Sequence, residues 1–229
     1  MPVLSGHDYA DYHTRRANNY VEKLCYDAYV DINGDTRVEF GQPPAALADG
    51  IIKTQALDAI ITGGGNQVTT FDPEKSMSKW GRNLTVILSG AGTPTVTIRG
   101  RDWLGQGMSE NIVGAGAASV VGKKAFFSLD SITTSAAVAG VTISVGWGNV
   151  LGLPYAMTKL YHEFVDDIIP AAGTFVPCLA PGTVQSLTTG DPRGTYTPAG
   201  AVVPNGVRNI VITGAALSGQ LHGVPHFYS

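Results

Sequence analysis

The sequence predicts an all-β protein, with a β-sandwich or jelly-roll-like body preceded by an N-terminal arm that contains a short helix. Three observations carry this expectation. Glycine (29 of 229 residues) and proline (13) are frequent while charged residues make up only 14%, which favours short strands and tight turns over long charged helices. Between residues 82 and 154, segments rich in β-branched residues follow one another with glycine-rich breaks. No fixed period recurs along the chain, so these strands belong to a fold built once and not to a repeat array. The length suffices for one large core plus an arm. We assign residues 1–50 to the arm, a short helix followed by a hairpin, and residues 51–229 to a single all-β domain.

Residues 7–29 hold five of the nine tyrosines. Tyr9, Tyr12, Arg16, Tyr20 and Leu24 recur at steps of three or four, which places them along one side of a helix over residues 8–24. The stripe either packs on the protein's own core or docks on a neighbouring subunit, a setting that suits a buried ring with a wet hydroxyl. In the second reading Tyr9, Tyr12, Arg16 and Tyr20 are the candidate partner-interface residues. Next, Asn33-Gly34 sits between two alternating segments and predicts a hairpin with a two-residue type I′ turn. Asp31, Asn33 and Asp35 imitate a calcium loop, but Thr36 replaces its glycine and Gln42 its bidentate glutamate, so calcium binding is not expected. Pro43-Pro44 forms a joint, residues 45–61 read as a short helix or an irregular apron, and Gly63 to Gly65 ends that segment.

In the body, Val96 and Ile98 alternate with Thr95, Thr97 and Arg99, so one face is buried and the other wet. Residues 104–107 turn the chain and residues 108–113 return as the partner strand. Further strands are expected over 120–129, 132–135 and 141–146. Beyond Pro154 the segments KLYHEFVDDII, GTFVPCLAP, TVQSLTTGDPRGTYTP and VRNIVITGAAL read as strands between proline or glycine breaks, with a turn at Asn205-Gly206.

Charge and motif content narrow the function. The net charge is −3, and residues 1–50 hold eight acidic and four basic residues. Lysine and arginine never form a basic run, so no direct nucleic-acid partner is expected. Cys25 and Cys178 lack metal-ligand spacing and read as two free thiols. The N-terminus does not read as a secretion signal and no apolar run is long enough to span a bilayer, so the expected setting is a cytoplasm, in soluble form, without membrane contact.

The chain does not read as an enzyme, and no cofactor, metal or catalytic residue is expected. GxSxG is absent. GAGAASVVGKK differs from a phosphate loop at Ala117 and Lys124, and a strand is expected to follow it. His162-Glu163 opens like a zinc-protease motif, but Asp166 stands in the second histidine position. Asp166 and Asp167, adjacent in an expected strand, would point to opposite faces and could not flank one glycosidic bond. Trp80, Trp103 and Trp147 read as core and interface anchors, the competing reading being a sugar-stacking platform.

The stretch RNLTVILSGAGTPTVTIRGRDWLGQGMSENIV, followed by VVGKKAFFSLDSITTS and GVTISVGWGNVLGLP, resembles a family of tailed-bacteriophage virion structural proteins labelled capsid decoration, cement or minor capsid proteins. The matching positions are Arg82-Asn83, Gly100, Asp102, Gly105, Glu110, Gly122 to Phe126, Ser131 to Thr133 and Val145 to Pro154. GDPRGTYTP and the closing HGVPHF are similar to later family segments. The resemblance covers residues 50–229, and Trp147 and Asn149 depart from the family's commoner small or acidic residues. It implies a non-catalytic virion component with a sandwich or jelly-roll body, assembled in the host cytoplasm. The expected role is a capsid decoration protein, a dimer or trimer that binds the major capsid protein on the outside of an icosahedral head. The alternative is a tail or head-fibre component that binds host glycans.

Overall fold

The computed structural model describes residues 28–30, 35–57, 79–180 and 182–217. Over them the protein is all-β, and the one helical element among the described residues is a 3-10 turn at Gly200–Val202. The expected helix over residues 8–24, with Tyr9, Tyr12, Arg16 and Tyr20, lies outside the described residues.

Thirteen strands form three antiparallel sheets among the described residues. The first contains β1 (Ala28–Val30), β2 (Asp35–Gly41), β13 (Ile210–Ala216) and β10 (Met157–Val165), in the order β1-β2-β13-β10. The second runs β11 (Thr174–Val176), β12 (Thr195–Thr197), β9 (Thr142–Gly152), β4 (Arg82–Leu88), β7 (Ser119–Phe126), with β3 (Leu47–Ala56) also paired to β9. The third is β6 (Gly107–Val113), β5 (Thr95–Arg101), β8 (Ser128–Thr134). β4 is buried on both sides because β9 and β7 flank it within the sheet and apolar side chains cover its faces, which is why LTVIL reads as a continuous apolar run.

Two cores result. Leu84, Val86, Ile143 and Val145 from the second sheet meet Val96 and Ile98 from the third in one. Val38, Phe40, Ile210 and Ile212 from the first sheet meet Leu151 and Tyr196 in the other. β9 serves both: its first half faces one core and its last residues the other.

Several expectations change. Residues 47–56 form a strand and not a helix or apron, because Gly50 lets the backbone pass the Trp147 ring, 2.2 Å from where a Cβ would sit, and Ile51 and Ile52 are buried. The expected boundary near residue 50 falls inside this strand, and Phe40 before it is already in a core. The β1–β2 hairpin forms, with Val30 opposite Thr36. The expected two-residue turn at Asn33-Gly34 lies outside the described residues. The strand expected over 120–129 divides at Phe127, whose N–H donates to the Arg101 carbonyl at 2.8 Å, so that β7 and β8 enter different sheets. After Val165 the strand stops: Asp166 and Asp167 both have positive φ (52° and 63°) and form a two-residue turn bridging Val165 and Ile168, as a type I′ turn requires. Only residues 195–197 of TVQSLTTGDPRGTYTP are strand.

Candidate functional site

Arg82, Asn83, Asp102, Glu110, Lys124, Asp191 and Arg193 are buried and form a polar frame. Asn83 lies where β4 slips register against both β7 and β9, and a bulge leaves ladder groups unpaired. Its side chain fills that gap, donating to the Gly122 carbonyl (3.3 Å) and accepting from the Val150 N–H (3.0 Å). Gly148 must be glycine here, since a Cβ would lie 2.7 Å from Asn83 Oδ1. The neighbouring Arg82 guanidinium donates to the carbonyls of Pro44 and Gly148, and burial lowers its pKa to about 9. The proline joint is thereby tied to β9.

A second group stitches the edges of two sheets. Glu110 on β6 accepts from the N–H groups of Lys123 (2.6 Å) and Lys124 (3.3 Å) on β7. Lys124 Nζ in turn donates to the carbonyls of Ser109 (2.8 Å) and Ser186 (2.7 Å). Gly122 keeps this cradle open, because its Cβ would sit 2.8 Å from Glu110 Oε2. Burial raises Glu110 to about 7, against the opposing pull of the two amides and the Lys124 charge, and lowers Lys124.

A third group anchors the long segment before β12. Asp191 accepts from the N–H groups of Ala125 (3.0 Å) and Arg193 (2.9 Å). Arg193 Nη2 donates to Asp102 Oδ2 at 2.5 Å and to Gln106 Oε1 at 3.0 Å, and both ionised side chains are 2% exposed. Asp102 Oδ1 accepts from Leu104 N–H (2.9 Å) and Gln106 N–H (2.7 Å), which fixes the β5–β6 turn. In the first sheet, Glu163 accepts from Gly173 N–H and from the Tyr196 hydroxyl (2.8 Å), and burial with that carboxylate pushes Tyr196 well above its ordinary range. These side chains hold the protein's own backbone and loops in place.

Glu110 has a measurable consequence. Its carboxyl holds a proton in the folded chain up to about pH 7, whereas an unfolded glutamate releases it near its ordinary pKa of about 4.3. The folded state therefore binds more protons between those values, and stability falls as pH rises across that window. Urea midpoints measured at pH 5, 6, 7 and 8 should decline, by a loss on the order of a few kcal/mol, and Glu110→Gln should flatten that slope. An unchanged slope in the variant would exclude Glu110 as its source.

The remaining sequence candidates separate. His162 and Glu163 lie on strand β10, and among the described residues no group of three or more His, Cys, Asp or Glu side chains could hold a metal ion. The residues after Gly116 form β7, as expected of a structural loop and not a phosphate cradle. Trp80 and Trp147 are buried, donating from Nε1 to the carbonyls of Glu39 (3.1 Å) and Ala45 (2.9 Å). Trp103 packs edge-on against Trp80, ring centroids 5.2 Å apart. The three rings do not form an exposed platform.

The exposed feature that sequence reasoning missed is one end of the first sheet. Asp166 and Asn209 exchange backbone and side-chain hydrogen bonds (2.9 Å each), and Gly206 N–H donates to Pro43 (2.8 Å). These contacts bring Ile168, Ile169 and Val207 to one end, 70%, 63% and 69% exposed. The signal was in the sequence: two β-branched residues between an Asp-Asp pair and a proline, where a strand would have to stop. Among the described residues no helix is long and apolar enough to cross a membrane. Comparison with family models, curated proteins and solved structures finds no match for this chain.

Proposed function

We propose that the chain is a structural component of a virion, a capsid decoration protein that binds the outside of an icosahedral head where major capsid subunits meet. The observation that carries this reading is the pairing of a locked frame with an exposed apolar end. The residues shared with decoration proteins, Arg82, Asn83, Asp102, Glu110 and Lys124, hold the sheets and turns rigid. Ile168, Ile169 and Val207 stand out in solvent on tight turns at one end. Exposed apolar side chains gathered on a rigid support suit association with another protein surface. A jelly-roll-like body and a dimeric or trimeric state belong to the same proposal.

The mechanism is linkage. A protein that binds only the assembled lattice stabilises it by its binding free energy, repeated over many equivalent sites. The arm residues Tyr9, Tyr12, Arg16 and Tyr20 are proposed to contribute to the contact with neighbouring coat subunits. Removing residues 1–27, which stops short of β1, should leave the body folded and weaken attachment to emptied heads; undiminished attachment would remove the arm from the interface. The same preparation tested on a glycan array separates this reading from a fibre that binds host sugars.

A further inference from the structure

The exposed turn that leads into β13 holds an Asn-Gly step, Asn205-Gly206. Asn205 Oδ1 accepts from the N–H groups of Val207 (3.0 Å) and Arg208 (2.9 Å), so the side chain is folded forward over the chain that follows it. Gly206 has φ 81°, which glycine adopts without strain, and with no Cβ it leaves its own nitrogen open to approach. Its N–H donates to the buried Pro43 carbonyl at 2.8 Å. The next residue, Pro44, is held through its carbonyl by the Arg82 guanidinium.

These positions supply each part of a ring closure. Hydroxide removes the Gly206 N–H proton, and the nitrogen attacks Asn205 Cγ to close a five-membered ring. The charge passes to Oδ1, where the Val207 and Arg208 N–H groups are placed to stabilise it, as donors in an oxyanion hole do. The Cγ–Nδ2 bond then breaks, and ammonia leaves with a proton from water, which restores the hydroxide. A water molecule opens the resulting succinimide at either carbonyl, giving aspartate or isoaspartate at position 205. In sum one water is consumed, one ammonia is released, and a neutral side chain gains a negative charge. The Pro43 carbonyl opposes the first step, because it holds the proton that has to leave.

We propose that Asn205-Gly206 is a self-modifying turn of the folded protein, held in check by its contact with Pro43. Local lifting of the turn from the proline joint sets the rate. Aspartate at 205 keeps both caps, since a carboxylate oxygen accepts from the same N–H groups. Isoaspartate adds a methylene group to the main chain beside Val207, which is 69% exposed, and so displaces them. This chemistry belongs to the chain itself and stands independently of the virion reading.

The test incubates the full-length protein in mildly alkaline buffer beside a synthetic peptide spanning residues 202–209, which lacks Pro43. Peptide mapping should find aspartate and isoaspartate at 205 in the protein, formed about tenfold more slowly than in the peptide, since reaction tracks the open population. In urea above the unfolding midpoint the two rates should converge. Ion exchange should resolve the product as a species one charge more negative, and Asn205→Gln should abolish it; the map separates it from any change at Asn33-Gly34, the chain's other Asn-Gly step. No product at 205 in the folded protein once the peptide is fully converted, or a folded protein that reacts as fast as the peptide, would overturn the proposal.

Discussion

Arg193→Ala is expected to destabilise the protein by about 3–5 kcal/mol, the range for removing one partner of a buried ion pair. Arg193 Nη2 lies 2.5 Å from Asp102 Oδ2 with both side chains 2% exposed, so truncation removes the buried cation that faces this carboxylate. The damage would extend beyond the pair. Arg193 also holds Gln106, and its own N–H is held by Asp191, which accepts from β7 at Ala125. The β5–β6 turn and the segment before β12 should loosen together. Equilibrium unfolding in urea measures the loss, and hydrogen exchange at Leu104 and Gln106, whose N–H groups Asp102 accepts, locates it. Adding Asp102→Asn to Arg193→Ala replaces the buried negative charge with an amide and should recover part of the stability. A loss below about 1 kcal/mol, typical of surface ion pairs, would show that the pair does not anchor this segment.

Gly146→Ala should be at least as damaging, for a steric reason. A Cβ at Gly146 would sit 1.7 Å from the Leu47 carbonyl oxygen and 2.6 Å from the Ala48 carbonyl carbon. Both are backbone atoms of β3, which cannot rotate aside as a flexible side chain could. The methyl group must push β3 off β9, exposing Ile51 and Ile52 from the first core. The expected cost exceeds the roughly 1–3 kcal/mol of ordinary overpacking. Gly200→Ala is the control: nothing lies within 4 Å of its Cβ position, and its effect should stay within about 0.5 kcal/mol. Equal urea midpoints for the two variants would contradict the close β3–β9 approach.

The all-β class was legible because glycine breaks, proline joints and β-branched runs are local signals; alternation placed β5, and the turn at residues 104–107 placed β6. What escaped was nonlocal. Residues 47–56 carry alanine and leucine in helix-compatible order, and only the approach of Gly50 to Trp147, about a hundred positions later, makes them a strand. The division at Phe127 depends likewise on a hydrogen bond to Arg101. Asp166-Asp167 reads as strand because two aspartates seldom form a type I′ turn, where asparagine and glycine are preferred. The residues of the buried frame stood out in the sequence as short motifs, but their role did not. A charged residue is ordinarily a surface residue, and no local pattern announces that Asp102 and Arg193, far apart in the chain, will meet in the interior. The apolar end was missed for the same reason: Ile168 and Ile169 lie at the same end of the sheet as Val207 because β10 pairs with β13 from far along the chain.

The central claim is that the chain acts by presenting surfaces to other coat components on a rigid β-frame. Its most direct test is cosedimentation of the purified protein with emptied heads built from the major capsid protein of the same genome, comparing the natural sequence with Ile168→Asp/Ile169→Asp. The account predicts saturable binding at a fixed number of copies per head for the natural sequence, and at least about tenfold weaker binding for the variant, the effect of losing about 1.4 kcal/mol. Natural protein that stays in the supernatant at every concentration would contradict it.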